Sequence, residues 1–284
     1  TDTSFFQGLK NIDPSLLNIW GDGGFNLLNA FSVIGLLSIG IGFLGSPQVY
    51  VRFIAIRDSE EIKKGKIVAV LYTLITSSSA VIIGMLGRFM FTTSNQSPEL
   101  VLGGGGENVL YLLLIDIMPN VIVGFYIAAL LSAVMSTVDS LLVVASSAVT
   151  RDFYQQIVNP KADSQTLINL SKKVTLALAF FALFVAISVS LLSPNRTIFW
   201  FVIFGWSGIA ATFCPVIILS LFWKKLTYHG AIASMVTGFI SIPLFKFFVP
   251  KISFIGQYFE KLDVLLPSVI LALSAGYVVS LYKK

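Results

Sequence analysis

Cysteine, histidine and charged side chains are scarce in this 284-residue sequence. The one cysteine, Cys214, excludes an internal disulfide framework, and the one histidine, His229, excludes a zinc site built from cysteine and histidine. Charged residues make up 12% of the chain and hydrophobic residues 56%. Such a chain cannot hide its apolar surface from water as one globule. The composition therefore indicates an integral membrane protein and excludes a soluble enzyme, a disordered linker and a nucleic-acid module.

The basic net charge does not point to a nucleic-acid partner. The chain has 19 Lys and Arg against 14 Asp and Glu, a formal charge of +5. Membrane proteins collect Lys and Arg in their cytoplasmic loops, which accounts for such an excess. The sequence starts at Thr1 rather than Met, and residues 1–10 lack the pattern of a signal peptide. We expect the chain to be part of a longer protein.

Seven apolar stretches are long enough to cross a bilayer, which takes about 20 residues per helix. We number them span one to span seven; they cover residues 25–45, 67–91, 121–150, 174–192, 201–223, 231–249 and 265–281. They are apolar all round, whereas the strands of a membrane barrel alternate apolar and polar residues. The sequence predicts an all-α, polytopic membrane helical bundle and one transmembrane domain over residues 1–284.

The distribution of loop charges predicts the orientation. Lys and Arg cluster in the loops after spans one and three, directly after span five and at the C-terminus, whereas the loop at 92–110 has neither. Because positive loops stay on the cytoplasmic side, we expect the N-terminus of this chain outside the cell and its C-terminus in the cytoplasm. We expect a multi-pass protein of the cell membrane, with the lipid bilayer as a partner.

Span three contains the one acid that lies deep in a span, Asp139. Ser136, Asp139 and Ser140 lie on one helical face, and Thr137 is beside it. Ligand sets made only of oxygen suit hard cations, so the Ser136 and Thr137 hydroxyls and a carbonyl near Ala133 form a candidate Na⁺ site. A proton site is a second interpretation. The structural alternative is that these hydroxyls only allow close helix packing or bond to backbone carbonyls.

Glycine and proline interrupt span one. Gly42, Gly45 and Pro47 crowd its second half, where proline removes a donor and glycine lowers helix stability. Such an interruption is typical of the broken helix that forms the substrate site of a transporter. The alternative is a kinked packing helix. In span five, small residues form one face, Trp206 supplies an aromatic wall and Pro215 a kink; taken alone, this pattern favours helix packing.

Taken together, these segments resemble the sodium/solute symporter family, most closely its sodium/proline symporter branch. The resemblance rests on these pieces, in this order: GFLGSP with VRF at 42–53, AVMST at 133–137 with SSA and DFY up to 154, WSG at 206–208, and FW before HGA at 222–231. Members of the family have two inverted five-helix repeats of the amino-acid-transporter type. The resemblance implies that spans one to five are the second repeat, that spans six and seven are trailing helices, and that a missing N-terminal half completes the transporter.

The resemblance also implies ligands for sodium. It makes the Ala133 carbonyl and the Ser136 and Thr137 hydroxyls the contribution of this half to a Na⁺ site. Some relatives hold a second sodium ion at positions that match Ser136, Asp139 and Ser140. Asp139 replaces a hydroxyl or small residue there, which would strengthen a second cation site or let a proton take part.

For the solute, the resemblance points to Phe43, Ser46 and Pro47 in span one and to Trp206 in span five. Phe43 keeps the aromatic ring that proline-transporting members have before the kink, without its hydroxyl. Ser46 stands where those members have glutamine, and Ile39 stands where they have tryptophan. A small or moderately apolar organic solute fits this set.

The expected function is secondary active transport, in which Na⁺ entry drives uptake of a small organic solute, such as the amino acid proline, by alternating access. An intramembrane enzyme would need a nucleophile with a base, and no histidine lies in any span, so we expect no enzyme. A membrane sensor built on a transporter fold and a channel subunit are the remaining alternatives.

Overall fold

The structure, a computed structural model, describes residues 4–192 and 197–282. Over these residues it contains twelve α-helices and no β-strand. Seven helical segments are long and apolar enough to cross a membrane, and each overlaps one predicted span. The prediction of an all-α polytopic membrane bundle is therefore confirmed.

The helices follow each other in this order: α1 (Phe5–Ile12), α2 (Leu27–Ser38), α3 (Pro47–Ile54), α4 (Ser59–Phe91), α5 (Pro98–Leu102), α6 (Val109–Ile117), α7 (Asn120–Ser147), α8 (Ser164–Leu192), α9 (Ile198–Phe222), α10 (Tyr228–Pro243), α11 (Gly256–Leu262) and α12 (Leu265–Tyr282). The seven candidate spans are Leu27–Gly45, Ser59–Phe91, Asn120–Val158, Ser164–Leu192, Ile198–Phe222, Tyr228–Lys251 and Leu265–Tyr282. The short helices α1, α3, α5, α6 and α11 lie outside these spans.

The chain divides into two compact units. One unit comprises residues 1–110 and 197–284, and the other comprises residues 111–196. The first unit contains span one, α4, α9, α10 and α12, and the second contains α7 and α8. The single transmembrane domain over 1–284 stays a prediction.

Several spans are longer than their apolar stretches, and α4 shows why. It begins at Ser59 instead of residue 67, because the Asp58 carboxylate accepts hydrogen bonds from the backbone N–H groups of Glu60 (2.9 Å) and Glu61 (3.0 Å). This cap and two acids in the first turn stabilise the positive end of the helix. The polar segment before the span is therefore part of the same helix.

Small residues bring α9, α10 and α12 close together. A methyl group built at Gly238 would collide with the carbonyl oxygen of Ala211, and one at Gly276 would lie 2.9 Å from Cβ of Ser234. Small residues at four-residue intervals let membrane helices approach closely. Beside these contacts lies a small apolar core made of Ala210, Ala211, Ile242, Val264, Leu265 and Val269.

Candidate functional site

Span one is broken as its glycine and proline residues predict. Helix α2 ends at Ser38, a 3₁₀ segment follows over Ile39–Gly45, and α3 starts at Pro47. Pro47 has no N–H to donate to the carbonyl of Phe43, one turn earlier, so a continuous α-helix would lose a hydrogen bond there. Ser46 between the two pieces is extended, with φ −76° and ψ 114°. We call the segment Ile39–Pro47 the break.

Side chains of α9 bind the carbonyl groups of the break. The indole Nε1 of Trp206 donates to the carbonyl oxygen of Ile39 at 3.2 Å, and the Cys214 thiol donates to that of Ile41 at 3.4 Å. Buried carbonyl groups need donors when the α-helical pattern is lost. Helix α9 therefore holds the break in its non-α conformation.

The break lies against α9 with no room for side chains at two of its glycines. A methyl group built at Gly42 would collide with the Trp206 indole, and one at Gly45 would lie 2.5 Å from the backbone nitrogen of Cys214. Glycine is required at both positions because the two backbones approach so closely. Gly40 differs, because a methyl group there would meet no described atom within 4 Å.

Substituting Gly45→Ala should displace the break from α9 and lower both thermal stability and transport. Overpacking of this kind typically costs about 1–3 kcal/mol. Gly40→Ala is the matched control, since it changes the same residue type in the same segment without a collision. Melting curves and initial uptake rates of both variants test this prediction. Equal behaviour of the two would contradict the close contact.

The structure brings the four predicted substrate residues to the break. The Phe43 and Trp206 rings meet edge to face, with centroids 4.8 Å apart. Phe43 keeps 57% of its surface exposed, so it remains accessible to a ligand in this chain. Ser46 is fully buried, and its hydroxyl has no hydrogen-bond partner among the described residues. Pro47 follows directly as the first residue of α3.

The predicted sodium ligands all lie on α7. The Thr137 hydroxyl donates to the Ala133 carbonyl oxygen at 3.2 Å, and the Ser140 hydroxyl donates to that of Ser136 at 2.9 Å. These are bonds to the carbonyl four residues earlier, which the structural alternative also predicts. The hydrogen bonds alone therefore do not separate an ion site from ordinary helix packing.

The spacing of the oxygen atoms is compatible with a cation. Around an ion held about 2.4 Å from each ligand, neighbouring oxygens at right angles lie about 3.4 Å apart. The Thr137 and Ala133 oxygens, 3.2 Å apart, approach this arrangement. Ser136 and Thr137 are exposed in this chain, so the second unit does not seal this face of α7 with aliphatic side chains. Ala133, Ser136 and Thr137 thus offer an incomplete oxygen set.

Asp139 is exposed on α7, and Ser140 is half-buried. A carboxylate in the middle of a membrane span costs about 2.5–3.5 kcal/mol on insertion scales. Among the described residues, the Asp139 carboxylate makes no hydrogen bond or ion pair, and no cluster of three or more His, Cys, Asp or Glu could hold a metal ion. Among the described residues, hydroxyl and carbonyl oxygens are therefore the groups that could join Asp139 around a cation.

The two sets of candidate residues belong to different units, the solute set to the first and the sodium set to the second. Sequence reasoning used Cys214 only to exclude a disulfide framework and did not find its bond to Ile41. It also missed the role of Trp206 as donor to Ile39. The small residues of span five were the available signal, because they indicate close backbone approach but not the partner.

Comparison with known proteins finds one matching family. The model of the sodium:solute symporter family matches residues 1–238. No solved structure matches the chain significantly.

Curated relatives align with most of this chain. It is 30% identical to the osmoregulated proline transporter OpuE of Bacillus subtilis over 283 residues, which is 98% of this chain and 52% of the relative. It is 32% identical to the high-affinity proline transporter PutP of the same organism, over 81% of this chain and 46% of the relative. It is 30% identical to sodium/proline symporter 2 of Staphylococcus saprophyticus, over 91% and 50%. The chain thus spans about half the length of these relatives.

Proposed function

Because this chain belongs to the sodium:solute symporter family, we propose that it is part of a transporter that couples Na⁺ entry to uptake of a small organic solute. The relatives are named as transporters, which supports transport and not enzymatic catalysis. The observation that carries the proposal is the match of this family to residues 1–238, and the oxygen set of Ala133, Ser136 and Thr137 on a membrane-spanning helix supplies candidate Na⁺ ligands.

The sodium ion is held in part by the Ala133 carbonyl and the Ser136 and Thr137 hydroxyls. Asp139 and Ser140, with Ser136, contribute to a second cation or proton site. A preceding N-terminal half supplies the remaining ligands, an inference supported by the length of the relatives. We call the two halves together the complete transporter; in it this chain is the second inverted repeat with two trailing helices.

The solute binds at the break, against Phe43, Ser46, Pro47 and Trp206. The exposed ring of Phe43 offers an apolar contact, and the buried Ser46 hydroxyl is a polar group without a partner in this chain. The names of the relatives support an amino acid such as proline. The apolar ring of proline can pack against an aromatic side chain. The charged amino and carboxylate groups of proline need partners from the missing half.

Coupling follows from linkage between the two ligands. If Na⁺ and solute both favour the same conformation, each raises the affinity of the other by the same factor. A membrane potential of 100 mV adds about 2.3 kcal/mol to the driving force for each charge that enters with the solute. Alternating access exposes the midplane site to one side of the membrane at a time. In the cell membrane, the positive-inside rule places the N-terminus of this chain outside and its C-terminus in the cytoplasm.

A membrane sensor or a channel subunit is the alternative function. A sensor would bind solute without net uptake, and a channel would carry solute or ion only down its own gradient. The test is a panel of radiolabelled amino acids and sugars, offered to vesicles containing the complete transporter. We expect one solute to accumulate above its outside concentration only with an inward sodium gradient. Accumulation of none, or accumulation independent of sodium, would overturn the proposal.

Substituting Asp139→Asn in the complete transporter should change ion coupling, because a carboxylate binds a cation or a proton and an amide carries no charge to replace it. Contacts to charged groups are about twice as strong as neutral ones, so we expect the half-saturating Na⁺ concentration to rise about tenfold or the pH profile of uptake to shift. Asp116→Asn is the control, since Asp116 is an exposed acid of α6. Unchanged sodium and pH profiles would remove Asp139 from the site.

A further inference from the structure

A cavity of about 460 Å³ lies beside the C-terminal part of α4, within the first unit. Val81, Gly84, Met85 and Arg88 line it from α4, at intervals of three and four residues that form one helical face. Leu9 of α1 and Leu102 of α5 are among the residues that complete it. None of these residues takes part in the proposed sodium or solute site.

The α4 side of the cavity is an apolar groove that ends at a charge. Val81 and Arg88 are two turns apart, which is about 10 Å along the helix axis. Arg88 is in the last turn of α4, while Val81 lies deeper in the span. Gly84 leaves the middle of the groove open, because a methyl group built there would meet no described atom within 4 Å.

Arg88 is half-buried, and its guanidinium forms no ion pair with any residue that the structure describes. Its Nη1 donates to the Thr92 hydroxyl at 2.9 Å, which uses one of five donors. Glu99 lines the same cavity. The ion pair found in the described part of the chain joins Lys246 to Asp263, so Glu99 and Arg88 do not form one. A positive and a negative group thus both line the cavity without forming an ion pair with each other in the described part of the chain.

The field of Arg88 also reaches Asp13. The pKa of the Asp13 carboxyl lies below its ordinary value, first because the side chain and backbone of Ser15 donate to it, and to a smaller extent because of the positive charge of Arg88. Asp13 and Arg88 form no ion pair in the described structure. The guanidinium therefore keeps donors for a further anionic group.

We propose that this cavity binds one zwitterionic glycerophospholipid of the phosphatidylethanolamine class. One of its two acyl chains lies along Val81, Gly84 and Met85, its phosphate accepts hydrogen bonds from Arg88, and its ammonium group faces Glu99, while the second acyl chain stays in the bilayer. Charge complementarity selects this occupant, since the head group carries both signs next to an acyl chain. Arginine can donate two parallel hydrogen bonds to phosphate oxygens, so the Arg88 guanidinium binds a phosphodiester more strongly than it binds water. The site goes beyond the proposed transport function.

The test counts lipids on the complete transporter by native mass spectrometry after reconstitution in equal parts of phosphatidylethanolamine and phosphatidylglycerol. We expect one retained phosphatidylethanolamine, and a loss of retention of about tenfold or more for Arg88→Gln, which removes a charge-assisted contact. Gly84→Leu should expel the lipid by filling the groove. Gly65→Leu is its matched control, because Gly65 is also a glycine of α4 with no described atom within 4 Å of a built methyl group.

Equal lipid retention by wild type, Arg88→Gln and Gly84→Leu would overturn the proposal, as would a groove filled by the N-terminal half. A preference for phosphatidylglycerol would overturn the assigned head group, and displacement by a free amino acid would show a solute subsite instead. Arg88→Gln introduces no larger side chain. Lipid retention by this variant therefore still tests the proposal if Gly84→Leu does not fold. Because lipid retention is independent of uptake, its failure is distinguishable from failure of the proposed transport.

Discussion

Substituting Ser136→Ala or Thr137→Ala in the complete transporter should raise the Na⁺ concentration for half-maximal uptake by about tenfold or more. Each change removes one oxygen from a small set, and a hydrogen-bonding or ligand contact to a charged group is worth about 1.5–3 kcal/mol. The Thr137 oxygen lies 3.2 Å from that of Ala133, so its loss leaves the carbonyl without its neighbouring ligand. Uptake at a fixed solute concentration over a Na⁺ series measures the effect.

The controls are hydroxyls in other spans that also donate to the backbone carbonyl four residues earlier. Thr76 on α4 donates to the carbonyl oxygen of Tyr72 at 2.8 Å, and Ser188 on α8 donates to that of Phe184 at 2.8 Å. Thr76→Ala and Ser188→Ala remove a comparable helix bond from other spans and should leave the sodium dependence unchanged. Equal effects at all four positions would mean that the α7 hydroxyls act only in helix packing.

Substituting Phe43→Ala should raise the KM for the solute about tenfold, more than any change made by Phe181→Ala. The ring of Phe43 packs edge to face on Trp206 beside the break, and such a pair contributes about 0.5–1.5 kcal/mol beyond its buried area. Its loss removes an apolar wall of the solute site and releases the indole.

Phe181 is a matched control because it is a phenylalanine of similar exposure, 65% against 57%, on a different span. Concentration series of uptake give KM for both variants, and melting curves show whether either change acts through stability. An equal KM for the two variants would contradict a solute site at the break. A shared loss of stability with unchanged KM would also contradict it.

The number and kind of the membrane spans could be predicted from the sequence because long apolar runs leave no other stable arrangement in a bilayer. The ends of the spans could not be predicted from apolar residues alone, because a helix extends into polar sequence where a capping residue stabilises its first turn. Asp58 starts α4 at Ser59, well before the apolar stretch. The short helices α1, α3, α5, α6 and α11 escaped prediction because the prediction rests on apolar stretches long enough to cross a bilayer, and these helices have five to nine residues.

The break in span one was predictable because Pro47 removes a backbone donor locally. The contacts of the break were not predictable, because the hydrogen bonds from Trp206 and Cys214 join residues more than 160 positions apart in the sequence. Sequence patterns show that Gly42 and Gly45 have no side chains to pack, and only the folded chain shows which backbone they meet.

The helical period of span three placed Ser136 on the polar face and Thr137 beside it, and the structure adds the distance of 3.2 Å from the Thr137 hydroxyl to the Ala133 carbonyl oxygen. The remaining cation ligands could not be predicted, because one helix offers oxygen atoms to only one side of an ion. In the proposed transporter, residues outside this chain supply the others, and the relatives, of which this chain spans about half the length, support that proposal.

A pair of high-resolution maps of the complete transporter, in sodium chloride and in choline chloride, would decide whether α7 holds sodium. We expect density within about 2.4 Å of the Ser136 and Thr137 hydroxyls and the Ala133 carbonyl in sodium, and none in choline. A face of α7 closed by aliphatic side chains in both maps, without space for an ion, would contradict the assignment.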